Sequence, residues 1–177
     1  MRRIPWHRLL PKHQRIALFW VLAGLGISAP WLVGDRIAFH TASEVACTIV
    51  DIHDGDTLRA ICDGQNTTIR LYCIDAPELS QRPWGQTSRD HLRAITPRRV
   101  VLVAKNRDRY GRIVGVVLTV DRRESLNLAL VRSGQAAVYP RYCNDRRFYA
   151  AETAARDRRL GVWARAGAHQ RPWRIRR

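Results

Sequence analysis

The chain has 177 residues, enough for one domain with its own core plus extensions at its ends. A net charge of +16 and a pI near 11.3 direct attention to nucleic acid, an anionic membrane or another acidic partner. No Cys/His spacing suits zinc, and no internal repeat or low-complexity linker is present, which leaves out zinc modules and repeat arrays.

Residues 1–15 carry five Lys/Arg and no acid. Residues 165–177 carry five Arg and no acid, so only +6 of the total falls on residues 16–164. Arginine supplies nearly all of the positive charge, since Lys12 and Lys105 are the two lysines. Nineteen uncharged positions follow the basic flank, residues 16–34, long enough to cross a bilayer core as a helix. The next flank, residues 35–44, contains Asp35, Arg36 and Glu44. This charge asymmetry places the N-terminus inside and the rest outside, as a single-pass inner-membrane protein with an extracytoplasmic domain. A cleaved signal followed by secretion is the alternative, against which stand the length of the run and the weak cleavage sequence Thr41-Ala42-Ser43. A buried core helix is the third.

From residue 45 the pattern changes to strands. Val45–His53 and Thr57–Cys62 are rich in β-branched and apolar residues and meet at Asp54-Gly55, a pair suited to a two-residue hairpin. Asp63-Gly64-Gln65-Asn66 turns the chain into a third strand, Thr67–Ile74, with Ile69, Leu71 and Cys73 on one face and Arg70 on the other. Arg99–Ala104 and Ile113–Val120 read as the fourth and fifth. Helical patterns occupy Trp84–Ile95, Leu126–Ser133 before Gly134, and Asp145–Leu160 before Gly161. Asp145 suits an N-cap, and both glycines suit the position just past a helix end. Trp163 is placed to pack the last helix onto the strands. Five strands with about three interspersed helices predict an α+β, mainly β fold: a five-stranded Greek-key barrel of the OB type, preceded by the transmembrane helix. The domain is expected over residues 45–164, with a basic tail over 165–177.

Four cysteines, Cys47, Cys62, Cys73 and Cys143, suit an oxidising compartment. A two-residue turn centred on Asp54-Gly55, with no bulge, sets Cys47 directly opposite Cys62. A disulfide there and a buried pair of thiols are both open at this point.

Three motifs carry chemistry: Asp54-Gly55-Asp56-Thr57, then Arg70-Leu71-Tyr72-Cys73-Ile74-Asp75-Ala76-Pro77-Glu78, then Asp108-Arg109-Tyr110-Gly111-Arg112. They supply the carboxylates Asp56, Asp75 and Glu78 and the guanidiniums Arg70 and Arg112. Phosphodiester hydrolysis needs such a set: oxygen ligands for a hard cation, a planar clamp for phosphate, and a base for water. Asp-Gly-Asp-Thr alone is an ordinary turn, and Arg-x-x-x-x-Asp alone is usually a surface ion pair; the co-occurrence of all three motifs makes the signal specific. Together they resemble the thermonuclease (micrococcal nuclease) family across residues 45–164.

That resemblance implies an OB-type nuclease that hydrolyses single-stranded DNA and RNA with little sequence preference, uses Ca²⁺ and leaves 3′-phosphates. It implies Asp56, Asp75 and the backbone carbonyl of Ala76 as metal ligands. Glu78 becomes the base or water-positioning group, and Arg70 and Arg112 the phosphate clamp. Arg109 and Tyr110 resemble the contacts to a terminal phosphate, and Tyr139 and Tyr142 are candidates for stacking on bases, with a plain packing role the alternative for each. Ala76 departs from the Thr often found there, which a carbonyl ligand tolerates. The competing functions are a catalytically silent, membrane-tethered OB module that binds nucleic acid, and a basic adaptor whose terminal arginines bind anionic lipid or protein. The first has no use for Glu78, and the second leaves the carboxylates unexplained.

Overall fold

Alternation of apolar and polar residues along five strands closes them into a barrel. The computed structural model describes residues 44–175. The basic flank, the predicted membrane span and all but the last residue of the linker lie outside the described residues. Among the described residues no helix is long and apolar enough to cross a membrane. The strands are β1 (Glu44–Ile52), β2 (Thr57–Cys62), β3 (Gln65–Leu71), β5 (Arg99–Arg107) and β6 (Ile113–Thr119). A separate two-residue pair, β4 (Ile74–Asp75) with β7 (Ala137–Val138), lies outside the barrel. Barrel order is β1-β2-β3-β6-β5, antiparallel except for the β3–β6 seam. Closure removes the open edges that a sheet of this size would otherwise expose.

The interior is filled by Leu58, Ile69, Leu71, Val100, Leu102 and Val117, each at most 1% exposed. Helix α1 (Trp84–Ile95) presents Gly85, Ser88 and Leu92 along one stripe, at helical spacing. Helix α2 (Leu126–Arg132) is capped by the Ser125 side chain, which accepts from the Leu128 N–H. Within it, buried Asn127 accepts from the Val117 N–H and donates to the carbonyls of Tyr72 and Gly115, satisfying backbone groups around the β3–β6 seam. Helix α3 (Arg146–Asp157) is capped by Asp145, as its sequence suggests. Gly134 and Gly161 take φ +69° and +49° and abut one another's backbone, leaving no room for a Cβ on either.

Two boundaries differ from the sequence expectation. The third strand stops at Leu71, because Cys73 takes φ +70° and redirects the chain into β4. Trp163 is buried as expected, beneath the Arg156 guanidinium. Beyond it the chain stays on the domain: His169 stacks on Trp84, Pro172 is buried, and Trp173 stacks on Tyr139. The fold thus runs ten or so residues past position 164, because two aromatic stacks and a buried proline hold a segment whose charge alone suggests a tail.

Both cysteine pairs are oxidised, Cys47 with Cys62 and Cys73 with Cys143. The first pairing arises by a different route from the one its arithmetic assumed. Next to the turn, Ile52 pairs with Leu58 and Asp51 with Arg59, one position out of step with a two-residue hairpin. A bulge at Val50 then restores Ile49 opposite Ala60 and Cys47 opposite Cys62. The longer turn and the bulge cancel. The second disulfide spans a separation of 70 residues, for which loop-closure entropy gives about 4 kcal/mol. Replacing Cys73 and Cys143 together by Ser is expected to lower the thermal midpoint by roughly 10–20 °C. Calorimetry of the double variant measures this, and an unchanged midpoint would show the bond to be structurally idle.

Candidate active site

The β1–β2 turn brings two carboxylates into the interior. Asp54 folds back so that its Oδ1 accepts from the Asp56 N–H at 3.0 Å, a side-chain turn that aims Asp56 inward. Asp56 is 2% exposed and Asp75, in β4, is fully buried. Gly55 between the acids packs against Ser88 and Ala76, where a Cβ would collide. Glycine is thus required by close approach to helix α1.

Arg70 holds these acids together. Its Nη2 lies 2.6 Å from Asp75 Oδ1 and 3.0 Å from Asp56 Oδ2, and its Nη1 donates to the carbonyls of Leu71 and Ile74. The Ala76 N–H donates to Asp56 Oδ2 at 2.7 Å, tying the β4 end to the β1–β2 turn. Buried carboxylates persist only with such compensation. Asp54 feels the same crowding: burial and then the Asp56 charge raise its pKa above the ordinary aspartate range.

An open cavity of about 390 Å³ adjoins this cluster, lined by His53, Asp54, Asp56, Thr57, Glu78, Tyr110 and Arg112. Glu78 enters it from a tight turn. Gln81 accepts the Glu78 N–H with its side chain and donates its own N–H to the Glu78 carbonyl. Gly85, at the start of α1, lies so close to the Glu78 backbone that a Cβ there would overlap it. Arg112 enters from the β5–β6 hairpin, where Asp108 accepts its Nε at 2.7 Å and its backbone N–H at 3.0 Å. Burial would raise the Asp108 pKa, but the hydrogen bonds from Arg112 and the Tyr110 N–H outweigh it and hold the carboxyl below the ordinary range. Asp108 therefore stays ionised and fixes the Arg112 fork.

Of the residues singled out from sequence, Asp56, Glu78, Tyr110 and Arg112 line the cavity, while Asp75, Ala76 and Arg70 stand directly behind Asp56. Arg70 therefore does not present itself as an outer phosphate clamp; it is enclosed by the acids and carbonyls that neutralise it. Arg109 caps the Tyr110 hydroxyl at 2.6 Å on the exposed hairpin tip. Tyr139 and Tyr142 lie outside this cavity, in an edge-to-face pair with ring centroids 4.9 Å apart. Sequence reasoning passed over Asp54, His53 and Thr57 as lining groups. The first Asp of Asp-Gly-Asp-Thr was the available signal, hidden by its evident fitness for a turn.

The donors suit a hard cation: two buried carboxylates and the neighbouring Ala76 carbonyl, all oxygen. Among the described residues no group of three or more His, Cys, Asp or Glu side chains is placed to hold a metal ion. Oxygen donors of this number suit a hard cation that takes only part of its ligands from the protein.

Comparison with known proteins agrees with this geometry. The family model described as "Staphylococcal nuclease homologue" matches residues 68–165. A Shigella flexneri protein named "Micrococcal nuclease" is 37% identical over 139 residues, covering 73% of this chain and 79% of its own. Proteins named "Uncharacterized endonuclease" from Haemophilus influenzae and Escherichia coli are 37% and 36% identical, each over 67% of this chain and over 66% and 76% of their own lengths. The chain belongs to the family of staphylococcal nuclease homologues.

Proposed function

We propose that this nuclease hydrolyses phosphodiester bonds of single-stranded DNA and RNA with little sequence preference, depends on Ca²⁺ and leaves 3′-phosphates. The single observation that carries the proposal is the convergence of Glu78 and Arg112 on one cavity, backed by the Asp56–Arg70–Asp75 cluster. Asp56, Asp75 and the Ala76 carbonyl would hold the ion, which supplies Lewis-acid polarisation of a phosphate oxygen. Glu78 takes a proton from, or orients, the attacking water. Arg112, fixed by Asp108, stabilises charge on the non-bridging oxygens. Arg70 keeps the two acids in register and is the second guanidinium of the site. Arg109 and Tyr110 meet a terminal phosphate at the hairpin tip, and Tyr139 and Tyr142 offer rings to bases. A silent binding module is disfavoured because it needs positive charge but neither Glu78 nor a fixed Arg112.

The two disulfides support an extracytoplasmic domain, tethered through residues 16–34 or secreted after cleavage there. Such a position keeps a nonspecific nuclease away from the chromosome. The chemistry is tested by incubating the purified protein with labelled single-stranded and duplex substrates and identifying the product ends. The expected result is preferential cleavage of single strands to 3′-phosphate ends. Ends bearing 5′-phosphate and 3′-hydroxyl would overturn the assigned bond cleavage, and binding without any cleavage would restore the silent module.

A further inference from the structure

The C-terminal segment has no acid after Asp157 and carries Arg165, Arg171 and Arg174 among its described residues. It is pinned at three points. His169 stacks on Trp84 with centroids 4.3 Å apart, its Nε2 lies 2.9 Å from the Val162 carbonyl, and Pro172 is buried. The pinning delivers Trp173 onto Tyr139, with centroids 5.4 Å apart and planes 14° from parallel. Tyr142 stands edge-on to Tyr139, is 57% exposed, and has the Arg141 guanidinium 5.6 Å from its ring. Arg141 lies beside Tyr142, and the exposed Arg171 and Arg174 flank Trp173 closely in sequence.

That surface is rigidly joined to the catalytic segment. Ile74 pairs with Val138 and Asp75 with Ala137, the Tyr139 N–H donates to the Cys73 carbonyl at 2.9 Å, and Cys73 is bonded to Cys143. Packing alone would explain a buried tryptophan. Trp173 is only half-buried: it packs against the cluster of Ala137, Ala155, Val162 and Trp163 and stacks on Tyr139, whose other ring neighbour, Tyr142, is exposed. Aromatic faces interleaved with guanidiniums are the chemistry that holds a single strand, through base stacking and phosphate neutralisation.

We propose that Trp173, with Arg141, Arg171 and Arg174, forms a subsite that extends the path of single-stranded nucleic acid beyond the cleavage cavity, built in part by the C-terminal segment. The substrate class rests on the function proposed above. Trp173 completes the platform begun by Tyr139 and Tyr142, and the arginines neutralise phosphates on either side of it.

The test uses the full chain with chelator present, so that binding is read without cleavage. Fluorescence anisotropy of a labelled oligothymidylate and an oligouridylate of about twelve nucleotides is followed against salt. Trp173→Ala is expected to weaken both about tenfold, the lower part of the range for one stacked base, and Trp173→Phe to recover most of it. Arg171→Gln with Arg174→Gln should lower the salt slope by about 1.4, at roughly 0.7 per phosphate contact on a single strand. Arg59→Gln, on the outer face of β2, is the control for net charge and should leave the slope unchanged. If Trp173→Ala is not folded by circular dichroism, Trp173→Phe and the arginine pair still decide. Slopes equal to that of Arg59→Gln, or no binding by the unaltered protein, would overturn the proposal. So would an arginine effect seen on phosphatidylglycerol vesicles but not on oligonucleotides, which would assign those arginines to a membrane. Calcium added afterwards separates the two ideas: cleavage with variants that bind normally sinks the subsite alone, and binding that is sensitive to the variants without cleavage sinks the nuclease chemistry alone.

Discussion

Glu78→Gln is expected to lower turnover by two or more orders of magnitude while leaving oligonucleotide binding within about twofold, the usual size of a general-base contribution. The substitution keeps shape and removes basicity. The turn that carries residue 78 is held by backbone and side-chain bonds to Gln81 and by the close approach of Gly85, contacts that the backbone of the Glu78→Gln variant keeps unchanged. Loop position is therefore expected to survive, and single-turnover rates with anisotropy in chelator separate the two effects. Undiminished turnover in the Glu78→Gln variant would remove the residue from the chemistry and leave Asp54 as the cavity carboxylate to examine beside the ligand candidate Asp56.

Arg70→Lys is expected to fail in both stability and activity. Lysine keeps the charge, but one ammonium cannot serve the Leu71 and Ile74 carbonyls while bridging Asp75 and Asp56 as the guanidinium fork does. Removing the cation altogether, as in Arg70→Leu, leaves buried carboxylates uncompensated, a loss of about 3–5 kcal/mol. Thermal unfolding should place Arg70→Lys between the unaltered protein and Arg70→Leu, with turnover down at least about a hundredfold. Near-normal turnover for Arg70→Lys would reduce the role of Arg70 to plain charge balance. Arg112→Lys is the useful companion, because it breaks the Asp108 contact at the cavity without touching the buried acids.

Most of the barrel was legible in the sequence because its strands alternate and its helices carry end signals. Asp145 caps a helix as read, and Gly134 takes the positive φ expected after one. The residues around the cavity were legible as a set because three motifs recur together, not because any one is distinctive. What stayed hidden depends on contacts between distant segments. Nothing local to Cys73 indicates that Cys143 is its partner, and nothing local to Arg70 shows that its guanidinium faces inward between two acids. The Cys47–Cys62 pairing followed from a hairpin count whose two departures, a longer turn and a bulge at Val50, cancel. The stacking of Trp173 on Tyr139 joins segments more than thirty residues apart, so the charge of the C-terminal run masked its packing.

In the proposed function, oxygen ligands at Asp56 and Asp75 support calcium-dependent cleavage. The most direct measurement is the rate of single-stranded DNA cleavage by the purified protein as free calcium is raised from chelated to saturating, repeated for Asp56→Asn and Asp75→Asn. The predicted result is no cleavage in chelator, a saturable rise with calcium in the unaltered protein, and a loss of about a hundredfold or more at the same calcium in each variant. Full activity in chelator, or variants with an unshifted calcium response, would contradict it.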